Sequence, residues 1–510
     1  MGEKRNKISG YLIRIVTVIV LSLPIFVFAT WIQYTYYSIL PVIYRYPASF
    51  TTPPYITGFP LFDSVFSGNW GLAGNIILHG ILPTLSLTFI IIALFIKTTQ
   101  TNIDRNAKDT SFITNSFTAG KLFGILFALD IVVEICFSLR GFGYCCLRAI
   151  FLGDTAIIIG SIMMLIILFS FTMFFSNIIP IVYKFVCNKI SGRFESFRDK
   201  IHQELRPVLD KIKNKFKFSR FRKKKTPSIN ESDIEGERSF KTRIKIELKT
   251  YLIATLKSPF TIIGLGIIIY LGIISSFPQL FTIYSLNEVT IPYIPIDGIP
   301  YAPPSPDHPL GTTKYGYDIL ARLLYGTRDA LIFGSIITII GLIGGSIFGV
   351  VAGRLHKYVH NAIIGLMIML FIIPGLILLI FTKTVFGLST QMLLMGILLI
   401  PIFTGIVANA IRRESNYITV IKVVIKYIPL EMAFGIMLYQ ILALIGLGDA
   451  SVASLGTDIN WARGSFSNFN AAVWPGFYLF LIMLGLICLH EGLNAPKTPR
   501  DILIEPVITS

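Results

Sequence analysis

The chain has 510 residues, of which 53% are hydrophobic and only 14% are charged, with a formal net charge of +17. Soluble domains carry about 25% charged residues, so this composition excludes an ordinary soluble enzyme. Several apolar windows approach the ~20 residues that a helix needs to cross a bilayer. Because backbone polar groups in hydrocarbon must be satisfied within each segment, the sequence predicts an all-α polytopic membrane protein.

Ten apolar stretches predict about ten transmembrane helices in two halves. The first half, residues 1–182, holds four of them, near 11–30, 75–97, 113–136 and 155–182. The second half, residues 259–510, holds six, near 259–281, 329–352, 361–382, 388–411, 419–447 and 473–490. The basic N-terminus before the first stretch is compatible with a secretory signal. The length of that stretch and the spans that follow it favour an uncleaved first span.

The two halves are joined by a basic linker, residues 183–258. From Tyr183 to Phe260 there are 21 Lys and Arg against 9 Asp and Glu, a net charge of 21 − 9 = +12. Such a run could bind nucleic acid, but apolar spans flank it, which favours a cytoplasmic loop under the positive-inside rule and no nucleic-acid partner. Apolar residues at helical spacing from Phe197 to Phe216 predict an amphipathic helix on the membrane surface or against protein.

The distribution of Lys and Arg also predicts the orientation of the chain. Basic segments such as Lys97–Lys108 and Arg412-Arg413 all fall on one side, together with the linker. The loops at 31–74, 282–328 and 448–472 carry few Lys or Arg and fall on the other side. The positive-inside rule therefore places both termini in the cytoplasm of a multi-pass plasma-membrane protein. The Pro-rich outer segment 282–309 suits either docking of an external partner or a compact cap over the helices.

One block, from His308 to Arg328, stands directly before a long apolar run. It resembles the segment H-P-x-G-T-D-x-x-G-R-D-x-x-x-R-x-x-x-G-x-R that precedes the second membrane helix in one permease subunit of oligopeptide- and dipeptide-type ABC importers. The chain departs from that pattern at Thr313 and Tyr317, where the family has Asp and Arg. The residues it keeps are His308, Pro309, Gly311, Thr312, Gly316, Asp318, Arg322, Gly326 and Arg328.

Further matches extend the resemblance along both halves. Ser454-Leu455-Gly456 followed by Trp461 is similar to the later outer segment of the same subunit. In the first half, Glu134 in Val133–Ser138, followed by Gly141-Phe142-Gly143, is similar to V-E-x-x-F-S-x-x-G-x-G of the partner permease. The resemblance implies two permease subunits fused in one chain, with a type I ABC importer permease-like bundle, and it favours a structural role for Glu134.

The strongest departure lies on the predicted cytoplasmic side. Family permeases carry an E-A-A-x-x-x-G coupling segment, with a later Leu-Pro, whose short helices dock into ATPase subunits. Here Arg412, Arg413 and Glu414 are followed almost at once by the next apolar run, and Pro429 is a candidate remnant of the Leu-Pro. A helix advances about 1.5 Å per residue, so a four-residue turn cannot form a docking helix. The resemblance therefore comes with shortened or missing coupling segments.

The sequence contains no recognisable catalytic or cofactor-binding motif. Thr118–Leu122 fails the P-loop pattern, and the five cysteines show no metal-ligand spacing, so we expect no cofactor, no metal and no enzymatic activity in this chain. Two functions stay open. The first is a permease of a peptide or oligosaccharide ABC importer, working by alternating access with separate ATPases and an extracytoplasmic substrate-binding protein. The second is a permease-derived, transport-inactive scaffold or accessory subunit of another membrane complex.

Overall fold

The computed structural model describes residues 2–47, 49–104, 129–161, scattered positions from 163 to 182, 251–291, 298–372, 388–413, 417–449, 451–463 and 469–494. In this part of the chain the regular structure is helical. The first half contributes α1 (Gly2–Ser22), α2 (Ile25–Tyr36), α3 (Pro60–Phe66), α4 (Trp70–Asp104) and α5 (Phe142–Leu152). The second half contributes α6 (Pro259–Ser276), α7 (Ile319–Arg354), α8 (Lys357–Ile372), α9 (Leu388–Arg413), α10 (Tyr417–Leu442), α11 (Leu455–Ala462) and α12 (Phe469–Leu493).

Six helices among the described residues are long and apolar enough to cross a bilayer. They are Trp70–Leu94, Pro259–Ser276, Ile319–Arg354, Thr390–Arg412, Ile418–Leu447 and Phe469–Leu493. These correspond to six of the ten predicted spans, and the predicted all-α polytopic fold is confirmed. Large parts of the predicted spans 113–136, 155–182 and 361–382 lie outside the described residues. So do the basic linker up to residue 250 and its predicted amphipathic helix.

The first predicted span is not one straight helix. Residues Tyr11–Ser22 and Ile25–Tyr36 are each helical, but their axes are bent by 84°. The break falls at Leu23-Pro24, and Pro24 is the residue immediately before α2. Proline has no backbone N–H to donate and disfavours a helical conformation of the residue before it, which explains the interruption. With this bent pair counted as a span, the described residues contain up to seven.

The second half is held together by close packing of α7 along α9. Glycines of α7 lie directly against α9, so that a Cβ at Gly341 or Gly345 would collide with Leu399 or Phe403. Small residues let helix backbones approach closely, which is the usual basis of packing in lipid. The glycine-rich character of this span in the sequence therefore corresponds to a real helix–helix interface.

The two halves share one core. Phe26 and Leu82 of the first half belong to the same buried cluster as Leu324 and Leu479 of the second half. Helix α12 packs against α6, α10 and α11 of its own half and also against α1 and α2. The chain is therefore one helical bundle in the described part, with α12 placed between elements of both halves.

Helix α7 is longer than a membrane is thick. Its 36 residues span about 54 Å, whereas the hydrocarbon core is about 30 Å thick. One end therefore extends beyond the hydrocarbon. At the N-terminal end of α7 lie the block from His308, the two 3-10 turns Pro278–Leu280 and Asn287–Val289, and α11.

Candidate functional site

The block before α7 folds as a tight turn. Thr312 and Asp318 form an isolated antiparallel bridge, and the Thr313 N–H donates to the Tyr317 carbonyl at 2.9 Å. Gly311 and Gly316 have φ values of +85° and +80°, which side chains other than glycine rarely adopt. Gly311 and Gly316 match the family pattern, and both stand where this backbone requires glycine.

Thr312 fixes the turn to the preceding segment. Its hydroxyl donates to the Ile299 carbonyl at 2.6 Å and accepts from the Ala302 N–H at 2.7 Å. The Tyr301 hydroxyl, from the same segment, donates to the Trp461 carbonyl at 2.7 Å. Through these hydrogen bonds the Pro-rich segment is anchored both to the block and to α11.

Asp318 caps the first turn of α7. Its carboxylate accepts from the Ala321 N–H at 2.7 Å, as expected of an N-cap residue, and lies 3.2 Å from His308 Nδ1. The His308 ring stacks on Tyr284 with a centroid distance of 5.4 Å. Burial raises the pKa of Asp318, and the Ala321 N–H and His308 oppose that rise. Pro309, next to His308, is exposed.

Arg322 is the centre of the site. Its side chain is 1% exposed, and its Nε donates to Asp458 of α11 at 2.5 Å, while Nη1 donates to the Val289 carbonyl. The guanidinium also lies over the Trp461 ring at 4.6 Å and near the Tyr317 ring at 5.5 Å. A buried charge is tolerated when it is paired and hydrogen-bonded. The guanidinium has its counter-ion and donates two hydrogen bonds, whereas its Nη2 and Asp458 Oδ2 have no hydrogen-bond partner.

Asp458 completes this buried ion pair from the other side. Burial raises the pKa of its carboxyl to about 6, while the adjacent Arg322 opposes that rise. Tyr317 stands where the family pattern has Arg, and its ring contributes to the aromatic surroundings of Arg322 together with Trp461 and Tyr315. At position 317 this chain therefore has an aromatic ring beside Arg322 in place of the arginine of the family pattern.

Arg328 belongs to the block in sequence but occupies a different place. It pairs with its neighbour Asp329 at 3.1 Å and lies 5.2 Å from the Tyr325 ring. Its side chain is 30% exposed, in contrast to the buried Arg322. The structure thus brings His308, Asp318, Arg322 and Trp461 into one network and leaves Arg328 outside it.

Three residues of the first half form hydrogen bonds with Ala462 and Arg463, next to Trp461. The Tyr34 hydroxyl donates to the Ala462 carbonyl at 2.5 Å. In the opposite direction, Arg463 Nη2 donates to the carbonyls of Ile135 and Cys136 at 2.5 and 2.8 Å. We call His308, Asp318, Arg322, Tyr301, α11 with Arg463, and these first-half partners the polar junction.

Glu134 lies beside the polar junction and caps α5. Its Oε2 accepts from the backbone N–H groups of Gly143 and Tyr144 at 2.6 and 3.1 Å. Unpaired N–H groups at a helix start carry a partial positive charge, so a carboxylate is stabilised there. This geometry gives Glu134 a structural contact and no described contact with the Arg322 network.

Gln440 caps the start of α11 in the way that Glu134 caps α5. Its Oε1 accepts from the Gly456 N–H at 2.7 Å and from the Ser454 hydroxyl at 3.0 Å. In both halves, therefore, a side chain on one helix caps a short helix that follows it within about twenty residues. Gln440 was not predicted from the sequence to have this role.

The predicted remnant of the coupling region lies on other elements. Arg412, near the end of α9, is exposed and donates to the Leu355 carbonyl at 3.2 Å. The Arg413 side chain and Glu414 lie outside the described residues. Pro429 is half-buried within α10. Helix α9 ends at Arg413 and α10 begins at Tyr417, so only three residues separate the two helices.

Four residues of the polar junction were missed by sequence reasoning: Tyr34, Tyr301, Asp458 and Arg463. Asp458 could have been identified from the sequence, because it is an acidic residue between the matched positions Ser454–Gly456 and Trp461. The other three gave none, because they act through contacts with carbonyl groups at least 160 residues away in the sequence. No group of three or more His, Cys, Asp or Glu that could hold a metal ion occurs in the part of the chain that the structure describes.

The fold and the polar junction define a polytopic α-helical membrane protein with a network that joins its two halves. Comparison with known proteins narrows this class. The chain is 27% identical over 270 residues to the dipeptide transport system permease protein DppC of Alkalihalophilus pseudofirmus, covering 48% of this chain and 87% of that protein. It is 28% identical over 223 residues to DppC of Haemophilus influenzae, covering 38% and 75%.

A third relative is the glutathione transport system permease protein GsiD of Pectobacterium atrosepticum. The identity is 24% over 223 residues, covering 39% of this chain and 74% of that protein. No protein-family model matches the chain. About half of the chain or less is therefore similar to permease proteins of peptide and glutathione transport systems, and these relatives are membrane components of transporters.

Proposed function

We propose that this chain is the membrane-spanning permease component of an ABC-type importer of small peptides. The observation that carries the proposal is the polar junction, in which the buried Arg322 pairs with Asp458 and lies over Trp461, while Asp318 caps the same helix and contacts His308. The permease relatives support the substrate class, because they are named as permeases of dipeptide and glutathione transport systems.

The two halves of the chain correspond, in this proposal, to two permease subunits fused together. The stretch similar to the Alkalihalophilus permease, 270 residues, is about as long as the second half, residues 259–510. The equivalent caps support the same view, with Glu134 serving α5 in the first half and Gln440 serving α11 in the second. Paired permease subunits with similar architecture would carry such a repeated feature.

The proposed transport cycle alternates between states open to either side of the membrane. In this proposal the polar junction lies on the outer side of the membrane, and the hydrogen bonds of Tyr34 and Arg463 between the halves hold that side closed. Each such hydrogen bond contributes about 0.5–1.5 kcal/mol, and those to a charged group about 1.5–3 kcal/mol. Opening that end costs several kcal/mol, which separate ATPase subunits would provide. An extracytoplasmic binding protein would deliver the peptide.

A second candidate function has its own supporting observation. The three residues between α9 and α10 can span only about 14 Å even when fully extended, which leaves no room for a docking helix. A permease without that helix could serve as a transport-inactive scaffold or accessory subunit of another membrane complex. The shortened connection favours this function, whereas the intact polar junction favours transport.

Gentle extraction of the full chain from its native membrane separates the two functions. The importer predicts co-purification of an ATPase in a fixed ratio, and ATP hydrolysis that rises when small peptides are added to the complex in liposomes. Stoichiometric association with unrelated membrane proteins, with no ATPase in repeated preparations, would establish the scaffold instead.

A matched pair of variants then tests the role of the polar junction. Arg463→Met removes the hydrogen bonds to the first half, whereas Lys314→Met changes an exposed cation of the block. We expect the first variant to raise ATP hydrolysis in the absence of peptide, since the closed state loses contacts, and the second to leave it unchanged. Equal behaviour of the two variants would count against a junction that opens during transport.

A further inference from the structure

Helix α3 has its apolar side facing away from the protein. Phe62 and Phe66, one turn apart, are 53% and 66% exposed, and Phe59 before the helix is 65% exposed. The polar residues Asp63 and Ser64 are almost completely buried. In water this arrangement is the reverse of what the hydrophobic effect favours, since apolar side chains gain most from burial.

The inverted pattern is built into the local structure. The Asp63 carboxylate accepts from the N–H and hydroxyl of Thr57, each at 2.6 Å, and from the Gly58 N–H at 3.2 Å. These bonds fix the loop before α3 and hold Asp63 inward. With Asp63 fixed inward, the aromatic side of the seven-residue helix must face outward. The exposed aromatic side chains are therefore not the result of a loose loop.

The exposed aromatic surface is continuous with a surface that faces lipid. Trp70, 70% exposed, is the first residue of α4, whose span presents Ile77, Leu85 and Ile92 outward. Between Tyr46 and Ile96 the sequence has a single Asp, Glu, Lys or Arg, the buried Asp63. Tryptophan and tyrosine are enriched at the level of the lipid headgroups, and tryptophan and phenylalanine are common on the apolar face of helices that lie in that interface.

We propose that α3 lies in the membrane interface, with Phe59, Phe62, Phe66 and Trp70 inserted among the lipids at the start of α4. The partner is the lipid surface, because the exposed patch is aromatic, uncharged and continuous with a membrane-spanning helix. A binding surface for a soluble protein would carry a polar rim, and no charged residue borders this patch along the chain. The segment anchors the first half to one leaflet.

Tryptophan fluorescence in nanodiscs tests this placement. The wild type and Trp70→Phe are compared in phosphatidylcholine brominated high on the acyl chains, and the difference gives the signal of Trp70. Trp461, packed under Arg322 in the polar junction, provides the matched control through Trp461→Phe. We expect brominated lipid to remove most of the Trp70 signal and aqueous iodide to leave it nearly unchanged, with the Trp461 signal insensitive to the lipid.

The opposite result overturns the proposal. If iodide quenches Trp70 and brominated lipid does not, the patch is open to water and available to a protein partner. If neither agent quenches it, protein covers the patch. A second variant, Phe66→Trp in the otherwise unchanged chain, adds a reporter that does not depend on removing Trp70. Its added fluorescence must show the same quenching by lipid and the same resistance to iodide.

Discussion

The helices α5 and α11 occupy corresponding places in the two halves, but they are capped differently. The carboxylate of Glu134, half-buried, caps α5, whereas the neutral amide of Gln440, 0% exposed, caps α11. A charge at a helix N-terminus gains about 0.3–1 kcal/mol from the helix dipole, but its full burial costs far more. The charged cap therefore occurs where the capping side chain is partly exposed, and the neutral cap occurs where it is fully buried.

The two caps also differ in what surrounds them. Helix α11 carries Asp458, which forms the buried pair with Arg322, and it is followed by Arg463, which contacts the other half. Helix α5 has no ion pair among the described contacts. We therefore expect α11 to be the more firmly held of the two, and four sets of substitutions test this expectation.

The largest effect is expected from Asp458→Leu, which leaves Arg322 buried without its partner. Breaking a buried pair in this way destabilises by about 3–5 kcal/mol. The measurement is the thermal unfolding midpoint in nanodiscs, followed by tryptophan fluorescence. The double variant Arg322→Met with Asp458→Leu should recover most of the loss, because no unpaired charge remains. A double variant as unstable as the single one would show that the charge is not the cause.

Gly456→Ala is expected to have the second-largest effect. A Cβ there would collide with the backbone carbonyl oxygen of Gln440, which cannot move away by a side-chain rotation. Overpacking of this kind costs about 3 kcal/mol. At Gly141 of the other cap the obstacle is the Glu134 carboxylate, which can rotate but then loses its hydrogen bonds to α5, so Gly141→Ala should cost about 2 kcal/mol. The measurement is the thermal unfolding midpoint of each variant. A larger decrease for Gly141→Ala than for Gly456→Ala would contradict the expectation that α11 is the more firmly held helix.

Gln440→Ala removes the acceptor for the Gly456 N–H and the Ser454 hydroxyl. Leaving buried donors without an acceptor costs about 2 kcal/mol. Its counterpart Glu134→Gln keeps an acceptor oxygen and loses only the charge, so the expected cost is below about 1 kcal/mol. Hydrogen exchange of α11 and α5 measured by mass spectrometry should show faster opening of α11 in the first variant and little change in α5 in the second.

Tyr34→Phe is expected to have the smallest effect, since it removes one hydrogen bond to the Ala462 carbonyl. The net contribution of such a bond is about 1 kcal/mol. Because Tyr34 joins the halves, the change should appear in exchange rates around α11 more than in the global unfolding midpoint. Thr35→Val, whose hydroxyl bonds only within its own helix, is the matched control and should leave α11 unaffected.

Much of the fold could be predicted from hydropathy, because a bilayer demands long apolar helices. The spans of α4, α6, α7, α9, α10 and α12 were located in this way. The bend between α1 and α2 was not predicted, although Pro24 lies within the first predicted span. Proline within a long apolar run is compatible with a kinked span, and hydropathy alone does not distinguish a kink from a break of 84°.

The polar junction was predicted in part. The resemblance selected Arg322 and Trp461, which lie in contact, and Asp318, which caps α7. It also selected Arg328, which lies outside the network. Spacing along the chain cannot separate these two arginines, since which one is buried depends on the position of α11. Contacts to carbonyl groups, such as those of Tyr34 and Arg463, place no requirement on the sequence of their partners and leave no pattern to find.

The distance in sequence between Arg322 and Asp458 has a consequence for biogenesis. During synthesis Arg322 leaves the ribosome 136 residues before its counter-ion exists. An arginine without a partner is poorly tolerated in a dry environment, so the N-terminal end of α7 must stay hydrated until α9, α10 and α11 have been inserted. Closure of this end is therefore a late event in membrane insertion, and truncated chains that stop before Asp458 should be recognised and degraded by quality-control proteases.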